Sequence, residues 1–568
     1  MVHGGAARAR GDRPAAAPRK RPGPQARSPR SARCAARSRA APVGFRPMRV
    51  GWPRRSRSPM QVLVPQARRG RVGFAIPRWT TDPVEIRQGI PFRCLSVAGA
   101  LLAAGYEVVW FDQELDLDRA DRSAAFLREL DGARALFIWM NELHPIVQTR
   151  NARLLAELVS ARHPQLPIAV GGEFVSICPP HVLTVAPPVR CFLRGYGEES
   201  SVEWLEHLDG RRPAEEVGGM VWLDGERRAN APRGSARMNP EHQQPYRALD
   251  LSEYAQEGGI FGNGEPTFTL GTGRGCAKGC AFCYWYHHEP GLLRPAQIIE
   301  LTSELRKRYG VKQYHYAELD AFAARGRPLE LARLWRERFD DGGWFTLASV
   351  EDALRYDDAE WSELRRGGLA KLELGVESGS RAVLERMGKP HTAEQVLALV
   401  RRLHAHDIVP MLNFIFGTPE ETDADRLETL RLIAAVHALA PRRITLTFRL
   451  FQPSWGTPLG ERAIAATPDF PQSLEALAQY RPMLGAVDAR AMPWLSADVE
   501  RRIKRLVDHY LPLSISQVRP AARGRRMFFG ALRHMARWRV HSGTTAFAAD
   551  QWLYARCLAQ PLHSTLTV

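Results

Sequence analysis

Apolar and polar positions along the chain fall into two stretches of alternating strand-like and helix-like segments, followed by a helix-rich end. In the first stretch, about 58–215, residues 71–77 (RVGFAIP), 106–111 (YEVVWF), 135–140 (ALFIWM), 168–170 and 190–193 read as short, mostly apolar strands. Between the first two, Phe92, Leu95, Ala98 and Leu102 recur at helical spacing, and Gly105 closes that helix. Such alternation predicts a parallel α/β sheet of Rossmann-like type. Residues 216–261 lack this rhythm and are expected to be a linker.

In the second stretch, about 262–460, six strands are expected at 268–272, 314–319, 345–349, 371–376, 411–416 and 444–450. The fourth sets Leu372, Leu374 and Val376 against Lys371, Glu373 and Gly375, and the sixth sets Ile444, Leu446, Phe448 and Leu450 against Thr445, Thr447 and Arg449. Pro295 fits the first turn of a helix that ends at Gly310, and Thr392 with Gln395 forms a capping box for another. Six such units predict a partial, open (β/α)6 TIM-like barrel. Such a barrel collects its chemistry at the carboxyl ends of its strands. Residues 461–568 are expected to form a helical C-terminal extension, with helices near 494–512, 528–540 and 545–558. Arg533, Arg537, Arg539 and His541 there make a solvated face or an anion site.

The chain of 568 residues is 45% hydrophobic, enough for two or three cored domains. Its net charge of +18 is misleading. Residues 1–57 hold 16 Arg and Lys and a single acid, Asp12, so the other 511 residues carry only +3. The basicity belongs to an Ala-, Arg- and Pro-rich tail without hydrophobic periodicity, expected to be disordered. Translation is expected to start at Met48 or Met60. An organelle transit peptide is the next reading of the tail, and a nucleic-acid-binding arm the third. A near-neutral folded part argues against a nucleic-acid partner. No apolar run approaches the ~20 residues of a membrane span. Cys34, Cys94, Cys178, Cys191 and Cys557 have no paired spacing, which argues against a disulfide framework.

The other three cysteines carry the chemistry. Cys276, Cys280 and Cys283 form C-x3-C-x2-C directly after the first barrel strand, with Phe282 before the last. Three thiolates on one loop can hold three irons of a [4Fe–4S] cluster and leave the fourth iron open. A structural zinc knuckle would need a fourth ligand, for which His287 and His288 are at hand. Other polar and glycine residues fall on the same rim. Glu318 and Asp320 end the second strand, and Ser349, Glu351 and Asp352 the third. Glu377 and Ser378 follow the fourth, Gly417 ends the fifth and Gln452 follows the sixth. Glu318, Asp320 and Ser349 either meet a cofactor or cap the next helix. In the first stretch, Gly171-Gly172 and Gly195-Tyr196-Gly197-Glu198 follow strands, at the edge where open α/β sheets bind ligands.

The cysteine spacing resembles the radical S-adenosylmethionine (SAM) enzymes. The runs 373–380 (ELGVESGS) and 414–422 (FIFGTPEET), with Leu384 to Lys389 between them, resemble the barrel of their cobalamin-binding branch. The two glycine motifs match those of the cobalamin-binding domain that precedes such barrels, and the resemblance covers about 70–460. It implies a [4Fe–4S] cluster, SAM and cobalamin (methylcobalamin) as cofactors. Cobalamin would touch Gly171, Gly172, Gly195, Gly197 and Glu198. Tyr284 would line the adenine site through its backbone, Glu377 or Ser378 would contact the ribose or methionine part, and Ser349, Ile415 and Gly417 would complete the SAM site. The pattern G-x-I-x-G-x-x-E runs from 413 to 420 with Asn413 in place of the first Gly. The D-x-H-x-x-G motif is absent and S-x-L survives only as Asn141-Glu142-Leu143, so the lower cobalt ligand is undefined.

The implied activity is C-methylation of an unactivated carbon in a small-molecule or peptide biosynthetic intermediate, through a 5′-deoxyadenosyl radical and methylcobalamin. A flavodoxin or ferredoxin would donate the electron, in a cytoplasmic setting. Three alternatives stay open. They are a non-methylating rearrangement or cyclisation, a tRNA methylthiotransferase with a second cluster on Cys94, Cys178 and Cys191, and a non-enzymatic cobalamin or SAM sensor.

Overall fold

The computed structural model describes residues 60–78, 89–115, 120–140, 145–232, 237–258, 264–284, 290–439, 443–479, 492, 494–515, 523–542 and 565–567. The basic tail, the segment Asn141 to Leu143, the histidines His287 and His288, and the helix expected at 545–558 lie outside these residues.

The first sheet has eight strands: β1 (Gln61–Leu63), β2 (Gly70–Ile76), β3 (Tyr106–Asp112), β4 (Leu136–Met140), β5 (Ile168–Gly172), β6 (Val189–Leu193), β7 (Met220–Asp224) and β8 (Glu226–Ala229). Their order is β1-β3-β2-β4-β5-β6-β7-β8, and the inner five are parallel. All residues of β3 and β4 are buried, as expected of strands covered by helices on both faces. The inner order reverses between β2 and β4, which makes a switch point where such sheets open a crevice at their carboxyl ends.

The expected linker is not one. Within 216–261, β7 and β8 form a hairpin that extends the first sheet antiparallel to β6. Asp224-Gly225 forms its turn, with Gly225 at positive φ, a hairpin signal in the sequence. Tyr246 is buried and its hydroxyl accepts from Gly271 N at 3.0 Å, while Tyr309 Oη donates to Leu249 O at 3.1 Å.

The second sheet contains β9 (Gln256–Gly258), β10 (Gly264–Gly271), β13 (Gln313–Ala317), β14 (Gly343–Ala348), β15 (Leu369–Glu377), β16 (Val409–Phe416), β17 (Thr445–Leu450) and β18 (Thr565–Thr567); β11 (Gly273–Arg274) and β12 (Gly291–Leu292) pair separately beside it. The order β18-β17-β16-β15-β14-β13-β10-β9 leaves two edges, so the barrel is partial. Its six inner strands are parallel, and β9 and β18 flank them antiparallel. Leu372, Leu374 and Val376 of β15 are fully buried under the helices, so the opposite face, with Lys371, Glu373, Gly375 and Glu377, lines the interior. The C-terminal extension contributes helices Ala497–Arg505, Leu511–Ile515 and Arg523–Ser542, and also the edge strand β18. Among the described residues no helix is long and apolar enough to cross a membrane.

Candidate functional site

The cysteine loop leaves β11 at the carboxyl rim of the second sheet. Cys280 is buried and Cys276 and Cys283 are half-buried, all three free of disulfides. The loop is pinned by its backbone. Ala281 N donates to Met387 O and Leu459 N donates to Ala281 O, both at 2.9 Å, and Cys283 N donates to Cys280 O at 3.1 Å. Phe282 packs against a small apolar cluster around Val383, Met387, Phe451 and Leu459, which Ile415 and Trp494 also join. Burial pushes the Cys276 and Cys280 thiols up, and for Cys280 the nearby Lys389 cation works against it. Coordination by a metal deprotonates such thiols outright. Among the described residues no three His, Cys, Asp or Glu side chains come close enough to share a single metal ion.

Two cations hold this loop, and the sequence reading gave neither a role. Lys278, between the first two cysteines, reaches the ends of β13 and β14. It pairs with Asp352, with Glu351 at 3.2 Å and with Asp320 at 3.7 Å. Burial, together with Asp352, raises Asp320 to about 6. Burial works against the Asp352 carboxylate too, but Lys278 and Arg355 hold it below its usual range. The second cation, Lys389, is buried. It lies 3.5 Å from Glu377 Oε1 and donates to Gly375 O at 3.3 Å. Burial opposes its charge, yet Glu377 and Cys280 raise it overall; burial likewise raises Glu377. Glu377 holds φ +63°, a left-handed conformation that a non-glycine residue adopts at a cost. The positions of the loop and of Lys389 are written in the sequence. A lone lysine between two of three closely spaced cysteines, facing three rim carboxylates, is a signal that could have been followed.

The other rim residues are spent on the protein's own structure. Ser349 caps the short helix Val350–Ala353, its hydroxyl accepting from Asp352 N at 3.3 Å. Glu318 binds Arg327 through both oxygens, at 2.6 and 2.8 Å, and accepts from Thr272 Oγ1. The Ser378 hydroxyl is buried against Thr429 Oγ1 at 2.8 Å. Gly417 N donates to Glu421 Oε2 at 2.5 Å, and its carbonyl accepts from Trp494 Nε1 at 2.7 Å. Asn413 bridges Glu373 and Thr447 inside the barrel, at 2.7 and 2.6 Å. Ile415 faces the apolar cluster beneath the loop.

At the first sheet, the loops after β5 and β6 are tied by Ser176, whose hydroxyl donates to Gly172 O at 2.8 Å and accepts from Gly195 N at 2.8 Å. A Cβ on Gly171 or on Gly197 would collide with the indole of Trp139, which lies across both glycines. Glu198 opens the next helix, Glu198–Leu208, and is buried. It accepts from Ser96 Oγ at 2.7 Å and pairs with Arg274 of β11, the strand that leads into the cysteine loop. Arg274 also stacks 4.2 Å over the Tyr196 ring. Glu198 is therefore a tie between the two sheets as well as a rim residue. Between the sheets lies a cavity of about 320 Å³. Gly195, Tyr196, Glu198 and Trp139 line it from one side, and Gly271, Gly273, Arg274, Tyr284 and Trp455 from the other. The structure thus brings Gly195, Glu198 and Tyr284 together, while Ser349, Ser378 and Gly417 lie outside this cavity's lining. Cys94, Cys178 and Cys191 are buried within the first region, with thiols raised by burial.

Residues 270–433 match the family model of the Radical SAM superfamily. An uncharacterized methyltransferase of Pyrococcus horikoshii is 23% identical over 387 residues, 66% of this chain and 80% of that protein. An anaerobic magnesium-protoporphyrin IX monomethyl ester cyclase of Synechocystis is 23% identical over 395 residues, 66% of this chain and 72% of the relative. A tRNA-2-methylthio-N(6)-dimethylallyladenosine synthase of Ruegeria pomeroyi is 34% identical, over 35% of this chain and 46% of its own. Among solved structures, the cobalamin-dependent SAM radical enzyme OxsB superposes with a TM-score of 0.58 at 14% identity, covering 86% of this chain and 74% of its own. The radical SAM methyltransferase TsrM of Kitasatospora setae superposes at 0.56 and 17%, covering 78% and 84%. At such identities these structures speak for the fold.

Proposed function

We infer from a chain that carries a radical SAM domain, and is an enzyme of that superfamily, a cobalamin-dependent C-methyltransferase acting on a small-molecule or peptide intermediate. Cys276, Cys280 and Cys283 would hold the [4Fe–4S] cluster, and their thiol chemistry and common loop fit it. When bound, the cluster supplies an electron for reductive cleavage of SAM, and cobalamin supplies the methyl group.

The chain's own residues do the positioning. Lys278 fixes the cysteine loop against the ends of β13 and β14, and Phe282 seals its inner side from water. The Lys389–Glu377 pair sets a buried charge beside Cys280, at the strand end where SAM would lie. Tyr284, Ile415 and Gly417 would shape the adenine side. Ser349 and Ser378, their hydroxyls already bonded, would contribute backbone position. Cobalamin would enter between the sheets, against Gly195 and Glu198, with Gly171 and Gly197 behind the Trp139 ring and Gly172 against the Met140 backbone. The observation that carries this reading is the cavity lined by both sheets, which reaches Tyr284 immediately after the third cysteine.

A ring-forming reaction on the same cofactors is the second reading, favoured by the cyclase that aligns over two thirds of this chain. Methylthiotransfer is weaker, since that relative aligns over 35% of the chain. A flavodoxin or ferredoxin would serve as electron donor in either case. The test is anaerobic reconstitution with iron, sulfide and hydroxocobalamin, followed by metal counts and product mass. About four irons and about one cobalt per chain, with a product heavier by one CH2, are expected. About eight irons would favour methylthiotransfer, a product without the added CH2 would favour ring formation, and loss of cobalt on desalting would overturn the cobalamin assignment.

A further inference from the structure

A second, larger cavity of about 1070 Å³ lies beyond the Tyr196–Glu198–Arg274 partition, which forms a wall of both spaces. Its charge is lopsided. Arg194, Arg237, Arg274 and Arg294 line it against two acids, Glu198 and Glu199. Glu198 is already neutralised by Arg274, and Glu199 stands exposed at the rim. Arg194 follows β6 and borders both cavities. Among the described residues no carboxylate lies within ion-pair distance of it, and its buried Nε has no hydrogen-bond partner. His242, also in this lining, buries an Nδ1 that is equally unpartnered. Burial lowers both side chains from their ordinary values, so both are held at a cost that a ligand would offset. The first turn of helix Glu198–Leu208 also lines the space, and its N-terminus has no side-chain cap.

We propose that this cavity binds an anionic group, a phosphate or a carboxylate, through Arg194 and His242. Two sources of that chemistry fit: an anionic substituent on the substrate, or the phosphodiester of a corrinoid's nucleotide tail. Neither depends on which reaction the enzyme performs.

The test compares the wild type with Arg194→Gln, Arg194→Lys and His242→Ala in the full-length reconstituted protein. Isothermal titration with inorganic pyrophosphate probes the free anion. Retention of hydroxocobalamin against cobinamide, which lacks the nucleotide tail, probes the cofactor. Loss of pyrophosphate affinity by about tenfold or more in Arg194→Gln, with Arg194→Lys closer to wild type, supports a substrate-anion site when cobalamin retention is unchanged. Loss of the preference for cobalamin over cobinamide in Arg194→Gln supports the nucleotide phosphate. A wild type that binds no pyrophosphate and does not discriminate the two corrinoids overturns the proposal, as does a folded Arg194→Gln protein indistinguishable from wild type in both assays. Pyrophosphate binding by a protein that retains no cobalt would leave the anion site standing while the cobalamin assignment falls. Melting temperature and iron content serve as folding controls.

Discussion

The two sheets use their carboxyl edges in opposite ways. At the rim of the barrel most of the singled-out residues are bonded within the protein, although Asp320 Oδ2, Glu351 Oε2 and Thr418 Oγ1 are buried without a hydrogen bond. Ser349 caps a helix, Glu318 grips Arg327, Ser378 is bonded to Thr429, and Gly417 is held by Glu421 and Trp494. At the rim of the first sheet the loops border open space, and Arg194 and His242 keep buried polar atoms unpaired. A polar residue at a strand end is a ligand candidate only to the extent that its hydrogen bonds are not already consumed. By that measure the barrel contributes a tightly held cysteine loop, and the first sheet contributes room.

The sharpest test of this contrast substitutes one glycine on each side. Gly197, after β6, has φ +92°, and an added Cβ would strike Trp139 and press on Val97. Gly279, in the cysteine loop, has φ +69° with nothing within 4 Å of an added Cβ. Gly197→Ala should cost about 2–5 kcal/mol, from backbone strain plus overpacking. Gly279→Ala should cost only about 1–2 kcal/mol, from its left-handed backbone. Denaturant unfolding measures both. Equal costs would mean that Trp139 yields readily and that the glycine cradle is soft.

The barrel side is tested through its clamp. Lys278→Met leaves Asp320, Glu351 and Asp352 facing one another without their shared cation, although Asp352 keeps Arg355 at 3.1 Å. Full loss of a buried partner costs about 3–5 kcal/mol. Lys278 is a quarter exposed, so solvent screening brings the expected loss to about 2–3 kcal/mol. Iron bound on reconstitution should fall below about four per chain. Adding Asp320→Asn to this variant should restore part of the stability, because it removes one of the stranded charges. A lower melting temperature with unchanged iron would show that the clamp steadies the barrel rather than the loop.

Much of this architecture was legible in the sequence, for a physical reason. The inner strands of both sheets are buried on two faces or alternate cleanly, so β4 as LFIWM and β15 as LAKLELGVE announce themselves. The capping box of Thr392 and Gln395 is local in the chain and appears as expected, at 2.9 and 3.3 Å. Edge elements were harder. The hairpin β7–β8 is short and half-exposed, and β18 is a three-residue strand far from its partner in sequence. The site shows the same division. The cysteines were legible because their spacing is local. Lys278 with its carboxylates, Glu198 with Arg274, and Trp139 over two glycines each join residues that are distant in the chain, and no single-sequence periodicity encodes such pairs. The partners of Ser349 show why strand-end polarity alone overstates a site: the capping role competes at the same position.

The smallest effect concerns a rim residue that is bonded and still costly. Glu421 is buried, accepts from Gly417 N and lies 3.7 Å from Arg426, yet burial outweighs both and raises it to about 7. A folded-state pKa above the unfolded value means that the folded protein holds more protons across the window between about 4.5 and about 7. The stability this gives is complete below that window and is lost as pH rises through it. Between pH 5 and pH 7 the loss should be about 2 kcal/mol. Glu421→Gln keeps an acceptor for Gly417 N without a titrating charge, so its stability should fall less over the same range. Asp320 also titrates in this region, but it is common to both proteins and cancels in their difference. Melting temperatures of wild type and Glu421→Gln at pH 5, 6 and 7 measure that difference. Parallel profiles would mean that Arg426 and the Gly417 amide hold the carboxylate ionised throughout, and that the barrel rim satisfies its groups without penalty.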